Sequence, residues 1–531
     1  MDQESVTLSR RQLLTLIGRV AGAAVMYETM SELALAGESG FTGPIELRGA
    51  PRGASVLILG AGLAGLSAAY ELRKAGYQVQ LLEYNTRAGG RTWSLHGGDT
   101  YTELGGHTQQ VEFDQGLYFN PGPWRIPYHH EALLHYCRLF NVALEPFCQV
   151  NYNAYVHSAK AFDGKPQRFR EVHADFNGHV AELLSKCVNQ GALDQPVNRQ
   201  DRETLLEAMR QWGALDRSYQ YKKGLLTSNR RGFASDPGGG LASTPDASEP
   251  LALTDLLQSR LWSAIAAGHN YEFQSMVFQP VGGMDAISEA FEREVGDLIR
   301  YNAKVTEIRQ DENSVTAVYQ DAKQGGAKRE ARADWCVCTI PASILGQIPM
   351  NVGAPLRSAI DALYYGSSVK VGLQFRRRFW EQDEAIYGGI TYTDLPNAMI
   401  GYPSTDYFTQ KGILLGAYAF GPSAFQLTSM TPQDRVKKAI EYGARIHPQY
   451  EKEFECGVSV AWHRVPWTLG CVAIWTDALR AQHYNKLCSF DGRIVLAGEH
   501  ASQLPAWQEG ALLSSLDAIG RLHQRVMQGV A

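Results

Sequence analysis

The chain has 531 residues, of which 44% are hydrophobic and 20% charged, and this usage excludes a disordered or fibrous protein. The formal net charge is -5, with Lys and Arg dispersed among Asp and Glu, so we expect no nucleic-acid partner, which would need a clustered basic face. The eight cysteines form no CxxC pair and no His/Cys spacing suited to zinc, so we expect no metal site.

The first 36 residues differ in pattern from the rest. Ser9–Leu14 (SRRQLL) precedes a mostly apolar run to Met26, and Ala34–Ala36 offers small residues for cleavage. This pattern resembles a twin-arginine export signal, which carries folded proteins, and it predicts a periplasmic location. Because Arg19 interrupts the apolar run, a retained helix on a cytoplasmic protein is the alternative. Nowhere else does an apolar run reach the roughly 18 residues of a membrane-spanning helix.

The next segment has the pattern of a strand, a helix and a second strand. Ser55–Leu59 is an apolar run typical of a buried parallel strand, residues 63–75 have helical periodicity, and Gln78–Glu83 is a second strand. Residues 128–265 are mainly helical in pattern. Arg493–Ala497 and the helix after it repeat the opening pattern, which indicates a nucleotide-binding domain interrupted by insertions.

Gly60, Gly62 and Gly65 follow the first strand in the spacing GxGxxG. The first makes a tight turn, the second lets the backbone approach a pyrophosphate, and the third allows the helix to pack on the strand. The phosphates would lie at the helix N-terminus, around Ala64, where free N–H groups favour anions. Glu83 follows at the distance of an acid that binds a ribose hydroxyl, which predicts a dinucleotide site and disfavours NADP.

Two glycine-rich segments come next, Arg87–Thr92 (RAGGRT) and Glu103–Gly106 (ELGG). They resemble the flavin-containing amine oxidase family, in which the first segment continues the pyrophosphate site and the second passes by the isoalloxazine. The resemblance implies FAD as the cofactor, with Gly90, Arg91 and Gly106 beside it. An arginine suits this role because its guanidinium binds phosphate bidentately.

The resemblance continues in order over nearly all of residues 53–525. Pro280–Met284 resembles the family's central turn, Leu496–Glu499 its second flavin motif, and residues 507–511 the helix start at the flavin's pyrimidine edge. The further cofactor contacts that the resemblance implies are Trp124, Val305, Gly498, Glu499, Trp507, Gln508 and Ala511.

The expected fold is α/β, with a Rossmann-like FAD-binding domain of the GR2 flavoprotein type assembled from discontinuous segments. We assign residues 53–118, 277–350 and 485–531 to that domain. A mixed-sheet substrate domain is expected from 119–165 and 351–484, and a helical insertion from 166–265.

Asn120–Pro127 (NPGPWRIP) resembles the GPMRLP segment of L-amino-acid oxidases, whose arginine holds the substrate carboxylate, and this implies that role for Arg125. Thr391–Pro403 resembles a second segment of those enzymes, which assigns the Tyr402 hydroxyl to the same carboxylate. A surface-paired arginine is the alternative. Some twenty residues between Gly106 and Arg125, which some family members lack, leave open how Arg125 reaches the flavin.

Other site residues also follow from the resemblance. Lys370 resembles the family lysine that binds a water near flavin N5 and assists the reaction with oxygen; an outward-facing lysine is the alternative. Trp467, Ala506 and Trp507 are expected to form the wall of the substrate site. Cys471 lies where monoamine oxidases attach flavin covalently, but a free buried cysteine is commoner, so non-covalent FAD is favoured.

The implied activity is that of an L-amino-acid oxidase. The amino acid is oxidised to an imino acid, which hydrolyses to a 2-oxo acid and ammonia, and dioxygen reoxidises the flavin to give hydrogen peroxide. An amide-forming amino-acid monooxygenase, a monoamine or polyamine oxidase, and a non-catalytic flavoprotein stay open as alternatives. The sequence assigns no side-chain preference, no general base and no oligomeric state, a homodimer being one option.

Overall fold

The computed structural model describes residues 39–191, 198–321 and 325–529. The predicted export signal, residues 1–36, lies outside the described residues. Among the helices of the described ranges, none is both long enough and apolar enough to cross a membrane.

One of the two large sheets has five parallel strands, and it confirms the predicted α/β fold. Ser55–Leu59 lies at its centre between Gln78–Leu82 and Trp335–Cys338, while Ile299–Arg300 and Ile494–Leu496 form its edges. Since these strands come from residues 55–82, 299–338 and 494–496, the sheet is assembled from discontinuous segments.

Alternate residues of the central strand pack on opposite faces of this sheet. Val56 and Ile58 contact the layer of helices Leu63–Lys74, Asp285–Val295 and Gln508–Gln528. Leu57 and Leu59 contact a three-stranded antiparallel sheet on the other face. Its strands are Ala303–Gln310, Val315–Asp321 and Ala327–Ala333. Burial on both faces explains why the first strand is a continuous apolar run.

The other large sheet has seven strands, both parallel and antiparallel. Its central strands, Gly412–Phe420 and Ser368–Phe375, pair antiparallel, and every residue of the latter is buried. The helices Gly421–Thr428 and Pro432–Ala444 pack against them. In order, the strands are Gln167–Arg168, Tyr155–His157, Ile390–Thr393, Met399–Gly401, Gly412–Phe420, Ser368–Phe375 and Phe454–Ala461.

Helices dominate residues 169–266 of the stretch 128–265 that the periodicity predicts as helical. The first part of that stretch holds one helix, Glu131–Leu139, and then strands, so the prediction is wrong for residues 140–168. A buried ion pair, Arg231 Nε to Asp175 Oδ1 at 2.9 Å, ties two of them together. These helices are Phe169–Gln190, Arg199–Trp212, Leu225–Arg231, Leu253–Ser259 and Trp262–Ala266. The other helices are Glu131–Leu139, Ala342–Leu345, Ala354–Ala362, Phe379–Gln382, Tyr450–Glu453 and Asp477–Cys488. Smaller sheets join Ile126–Pro127, Val277–Pro280 and Leu144–Pro146; Leu95–His96 and Tyr118–Phe119; Thr100–Thr102 and Thr108–Gln110; Tyr364–Tyr365 and Ala473–Ile474; Phe233–Ser235 and Asp246–Ala247.

Candidate active site

A cavity is lined by loops that follow strands of the five-stranded sheet, by residues of the seven-stranded sheet and by the start of the last helix. Its lining includes the turn at Gly62 on one side and Tyr418 and Phe420 of the seven-stranded sheet on the other. The cavity brings together most of the residues that the sequence singles out. Those in its lining are Gly62, Ala64, Arg91, Trp124, Arg125, Cys471, Gly498, Glu499, Ala506, Trp507, Gln508 and Ala511.

The glycine turn leaves room for a ligand at one end of the cavity. A Cβ on Gly60, whose φ is +100°, would meet Thr339 Oγ1 at 2.8 Å, and one on Gly65 would meet the Gly60 carbonyl oxygen at 1.9 Å. Beside Gly62, the residue before the helix Leu63–Lys74, no atom lies within 4 Å of such a Cβ. Since the first N–H groups of a helix have no partner within it, this open space fits the pyrophosphate of FAD.

Glu83 lies beside the same turn and is 5% exposed. Its carboxylate accepts hydrogen bonds from the backbone N–H groups of Ala61 (2.7 Å) and Asn85 (2.8 Å). The strand that contains Val305 starts next to it, where the Ala303 N–H donates to the Glu83 carbonyl at 2.8 Å. Glu83 and Val305 lie outside the cavity lining, and their contacts to ribose and adenine stay predictions.

A charged pair lies in the cavity wall. Arg91 Nη1 donates to Glu499 Oε1 at 2.7 Å and to the Cys471 carbonyl at 2.9 Å. Glu499 also accepts from the Ala506 N–H at 3.3 Å, which holds the loop before the last helix in place. That helix begins at Gln508, whose amide donates to Thr92 Oγ1 at 3.0 Å. A second helix N-terminus at the cavity suits the electron-rich pyrimidine edge of a flavin.

Arg125 lies in the lining at 7% exposure. Its guanidinium carbon is 4.3 Å from the centre of the Phe273 ring and 5.5 Å from that of Trp124. The Trp124 ring in turn covers Gly401, where a Cβ would meet it at 2.3 Å. This end of the cavity is therefore built from aromatic side chains around one fixed positive charge.

Lys370 points into the protein and is buried, so the outward-facing alternative does not apply. Its Nζ donates to the carbonyls of Gly122 (2.6 Å) and Asn120 (3.2 Å) and lies 4.4 Å from the centre of the Tyr418 ring. Burial, together with the charge of Arg125, holds the pKa of Lys370 well below its usual range. The amine lies directly behind Gly122, a residue of the cavity wall.

The structure places Tyr402 outside the cavity lining, and its predicted contact with the substrate carboxylate stays a prediction. Its side chain is 1% exposed, and its hydroxyl bonds Thr391 Oγ1 at 2.7 Å and His447 Nε2 at 2.6 Å. Neighbouring residues of an extended chain point to opposite sides, so Tyr402 points away from the cavity because Gly401 faces Trp124. Tyr418 supplies a tyrosine ring to the lining instead.

Trp467 is also placed elsewhere than predicted. It packs against Trp93, with ring centres 5.6 Å apart, and near the Arg87 guanidinium, outside the cavity lining. Trp462 lines the cavity, and its indole N–H donates to the Pro121 carbonyl at 2.8 Å. Because a 3₁₀ turn starts at Trp462, the chain leaves the cavity wall before it reaches Trp467.

Gly106 does not line the cavity either. It lies in the exposed turn of the hairpin formed by Thr100–Thr102 and Thr108–Gln110. The chain returns at Gly122, which is in the lining and where a Cβ would meet the Arg91 carbonyl oxygen at 2.0 Å. The extra residues before Arg125 thus loop outward, which resolves how Arg125 reaches the cavity.

The sequence reading missed a cluster of His129, His130 and Glu272. Glu272 lines the cavity, and its Oε2 lies 3.0 Å from His129 Nε2 and 3.3 Å from His130 Nε2. Their ligand atoms lie within 4.8 Å of one another, so the cluster has the donor set for a divalent cation. Paired histidines at a helix start were the available signal, but nothing in the sequence links them to an acid about 140 residues later.

Comparison with known proteins agrees with this geometry. A family model for flavin containing amine oxidoreductases matches residues 63–521. An L-amino acid oxidase from Bothrops pictus is 27% identical over 476 residues, which cover 87% of this chain and 89% of that protein. An L-amino-acid oxidase from Siganus canaliculatus is 25% identical over 478 residues, covering 89% and 86%.

Solved structures share the fold at lower identity. Cyclohexylamine oxidase from Brevibacterium oxydans IH-35A superposes with a TM-score of 0.59 at 16% identity, over 90% of this chain and all (100%) of that one. Wild-type putrescine oxidase bound to putrescine gives 0.58 at 18% identity, over 88% and 98%. At these identities the likeness concerns the fold.

Proposed function

The chain belongs to the family of flavin-containing amine oxidoreductases, and from that premise we propose that it is an FAD-dependent L-amino-acid oxidase. Its substrates are an L-amino acid, dioxygen and water; its products are a 2-oxo acid, ammonia and hydrogen peroxide. The observation that carries the proposal is the buried Arg125 in the wall of the cavity that fits FAD. The relatives named as L-amino-acid oxidases support it.

The protein's contribution is to hold and orient the amino acid. Arg125, fixed against the ring of Phe273, can bind the α-carboxylate bidentately and so fix the direction of the Cα–H bond. The apolar walls of Trp124 and Phe420 exclude water, which strengthens that ion pair. Bound FAD supplies the hydride acceptor, and the amino acid must reach it with its amine neutral. Lys370, behind the Gly122 wall, is the residue that we propose assists the reaction with dioxygen.

FAD is proposed to bind without a covalent link. Cys471 lines the cavity, but its thiol donates to the Gly366 carbonyl at 3.2 Å, and burial raises its pKa to about 11. A protonated thiol is a poor nucleophile, so it is not poised to attack a flavin. Acid precipitation should therefore release all of the yellow colour into the supernatant, whereas colour retained in the pellet would show covalent attachment.

The deciding experiment is anaerobic mixing of the flavin-loaded protein with a panel of L-amino acids and of amines without a carboxylate, followed at the flavin absorbance. We expect bleaching by L-amino acids and not by the amines. Arg125→Met should lower kcat/KM for amino acids by about 100-fold or more, since it removes the partner of a buried carboxylate. Arg125→Lys should recover part of this loss.

Two results would contradict the proposal. Bleaching only by amines that lack a carboxylate would make the protein a monoamine or polyamine oxidase, and Arg125→Met would then leave turnover unchanged. An amide product, identified by mass spectrometry in air, would make it an amino-acid monooxygenase.

Location and assembly are proposed from the sequence alone. The SRRQLL pattern at residues 9–14 supports export to the periplasm. Arg10→Lys with Arg11→Lys should trap the protein in the cytoplasm, as measured by cell fractionation; equal periplasmic amounts would favour the retained-helix alternative. Light scattering of the purified protein would test the homodimer.

A further inference from the structure

Glu272 offers a buried negative charge at the aromatic end of the cavity. It is 5% exposed and lines the same cavity as Arg125. Its Oε2 bonds the two histidines, whereas Oε1 has no hydrogen-bond partner among the described residues. Since a buried charged oxygen without a partner is costly, a ligand that supplies a donor or a cation at Oε1 would be stabilised there.

The two histidines contact only one oxygen of this carboxylate. His129 Nε2 lies 3.0 Å and His130 Nε2 3.3 Å from Oε2, which leaves Oε1 for a ligand. The His129 ring stacks on Tyr271 at 4.2 Å, and the His130 ring packs edge-on against Trp507 at 4.9 Å. These contacts fix both rings, and hence Glu272, in one orientation next to the predicted substrate wall.

The charged side chains in the cavity lining indicate which charges the substrate carries. The charged side chains there are Arg91, Glu499, Arg125 and Glu272. Arg91 and Glu499 form an ion pair at 2.7 Å. If Arg125 binds the α-carboxylate, Glu272 calls for a cation on the same molecule.

That cation fits the side chain better than the α-amine. The α-amine must be neutral when the Cα–H bond breaks, and a fixed carboxylate beside it would raise its pKa and keep it protonated. A carboxylate that meets the far end of the substrate has no such cost. The rings of Phe273, Trp124 and Phe420 line the space with apolar surface, on which the methylene stem of a basic side chain can pack.

We propose that Glu272, held by His129 and His130, is the specificity-determining residue for L-amino acids that carry a side-chain cation, such as L-lysine, L-ornithine and L-arginine. The inference rests on the proposed L-amino-acid oxidase function and names its substrate class.

The first test needs no variant. Anaerobic flavin reduction is measured with two matched pairs, L-arginine against the neutral L-citrulline and L-lysine against L-norleucine. A charge-assisted hydrogen bond at Glu272 should favour the cationic member by about 10- to 100-fold in kcat/KM. Equal rates within a pair, or a preference for the neutral member, would overturn the proposal.

The second test uses Glu272→Gln, with Glu203→Gln as the control. Glu203 is exposed and lies outside this cavity lining, so its change is chemically the same but remote. Glu272→Gln should lower kcat/KM for L-arginine and L-lysine by about 10- to 100-fold, mainly through KM, and lower it far less for L-norleucine. The control should change neither. A uniform loss for all substrates in Glu272→Gln, with an intact flavin spectrum, would overturn the specificity role.

Two further readings separate the possible failures. If neutral L-amino acids bleach the flavin and basic ones do not, this inference fails while the proposed function stands. If no L-amino acid bleaches it, both fail. Elemental analysis of the purified holoenzyme completes the test, because one zinc per chain, lost in Glu272→Gln, would show that the carboxylate binds a metal and would overturn the inference.

Discussion

The two ends of the cavity differ in what lines them, backbone at one end and side chains at the other. At the dinucleotide end, the lining is backbone, a turn of glycines at the start of the helix Leu63–Lys74. At the other end, the lining is side chain, with Trp124, Phe420 and Trp507 around Arg125 and Glu272. The first end fits the cofactor, which is the same for every substrate, whereas single side-chain substitutions can change the second, where the substrate would bind. FAD binding and substrate specificity should therefore respond to different kinds of substitution.

The largest expected effects come from two ion pairs, one fully buried away from the cavity and one in the cavity wall. Arg435 Nη1 lies 2.7 Å from Glu103 Oε2, and both side chains are fully buried outside the cavity lining. Arg91 and Glu499 lie in the cavity wall. Glu103→Gln should lower the free energy of unfolding by about 3–5 kcal/mol, since it leaves a buried charge unpaired, with no change in flavin affinity. Glu499→Gln should also reduce flavin content.

Urea unfolding and the ratio of flavin to protein after purification measure these two changes. The exposed pair Arg199 and Glu203 provides the control, and Glu203→Gln should move the free energy of unfolding by less than about 0.5 kcal/mol. Equal flavin loss in Glu103→Gln and Glu499→Gln would mean that the two pairs do not differ in function.

Next in size are substitutions in the glycine turn. Gly65→Ala would place a Cβ 1.9 Å from the Gly60 carbonyl oxygen, so we expect a loss of about 1–3 kcal/mol in the free energy of unfolding. Gly62→Ala meets no atom within 4 Å and has a φ of -73°, which alanine adopts freely. It should keep the stability of the flavin-free chain and weaken FAD binding, as measured by thermal unfolding and fluorescence titration. Equal loss of stability in both variants would contradict a ligand-shaped gap beside Gly62.

The same difference between the two ends decides how much could be predicted from the sequence. The strand Ser55–Leu59 at the centre of the five-stranded sheet and the glycine turn after it depend on local pattern, a buried apolar strand followed by glycines at fixed spacing. Both lie where the sequence predicts them, whereas the pattern does not predict the edge strand Ile299–Arg300. The substrate end depends on which way single side chains point. Gly401 and Tyr402 are neighbours in an extended chain and therefore face opposite sides of it. The spacing of a motif does not tell which of the two faces the cavity.

Insertions and distant contacts account for the other differences. Gly106 carries a family pattern but lies in the turn of a hairpin, outside the cavity lining. Glu272 has no local pattern, because its role arises from a contact with two histidines about 140 residues earlier. Such residues become visible only when the tertiary structure brings them together.

A pH-dependent effect should come from Lys370, whose buried amine lies behind Gly122 in the cavity wall. Its pKa is held well below the ordinary 10.5 by burial. Between that lowered pKa and 10.5 the unfolded chain binds one more proton than the folded chain, so stability rises with pH, by at most about 1.4 kcal/mol per pH unit. Lys370→Met removes this slope, whereas Lys304→Met, at an exposed strand position, should keep it. Urea unfolding across pH measures the slope, and parallel profiles for wild type and Lys370→Met would contradict a neutral buried lysine.

The smallest effect is expected at Tyr402, where the structure and the family pattern disagree. Its hydroxyl bonds Thr391 and His447 inside the core, so Tyr402→Phe should cost about 1 kcal/mol in the free energy of unfolding and leave KM for amino acids unchanged. Tyr418→Phe, at a residue of the cavity wall, is the matched comparison, and only it should change the kinetics of flavin reduction. A higher KM in Tyr402→Phe with Tyr418→Phe unchanged would put the Tyr402 hydroxyl on the substrate carboxylate, and it would require the strand around Gly401 to shift when substrate binds.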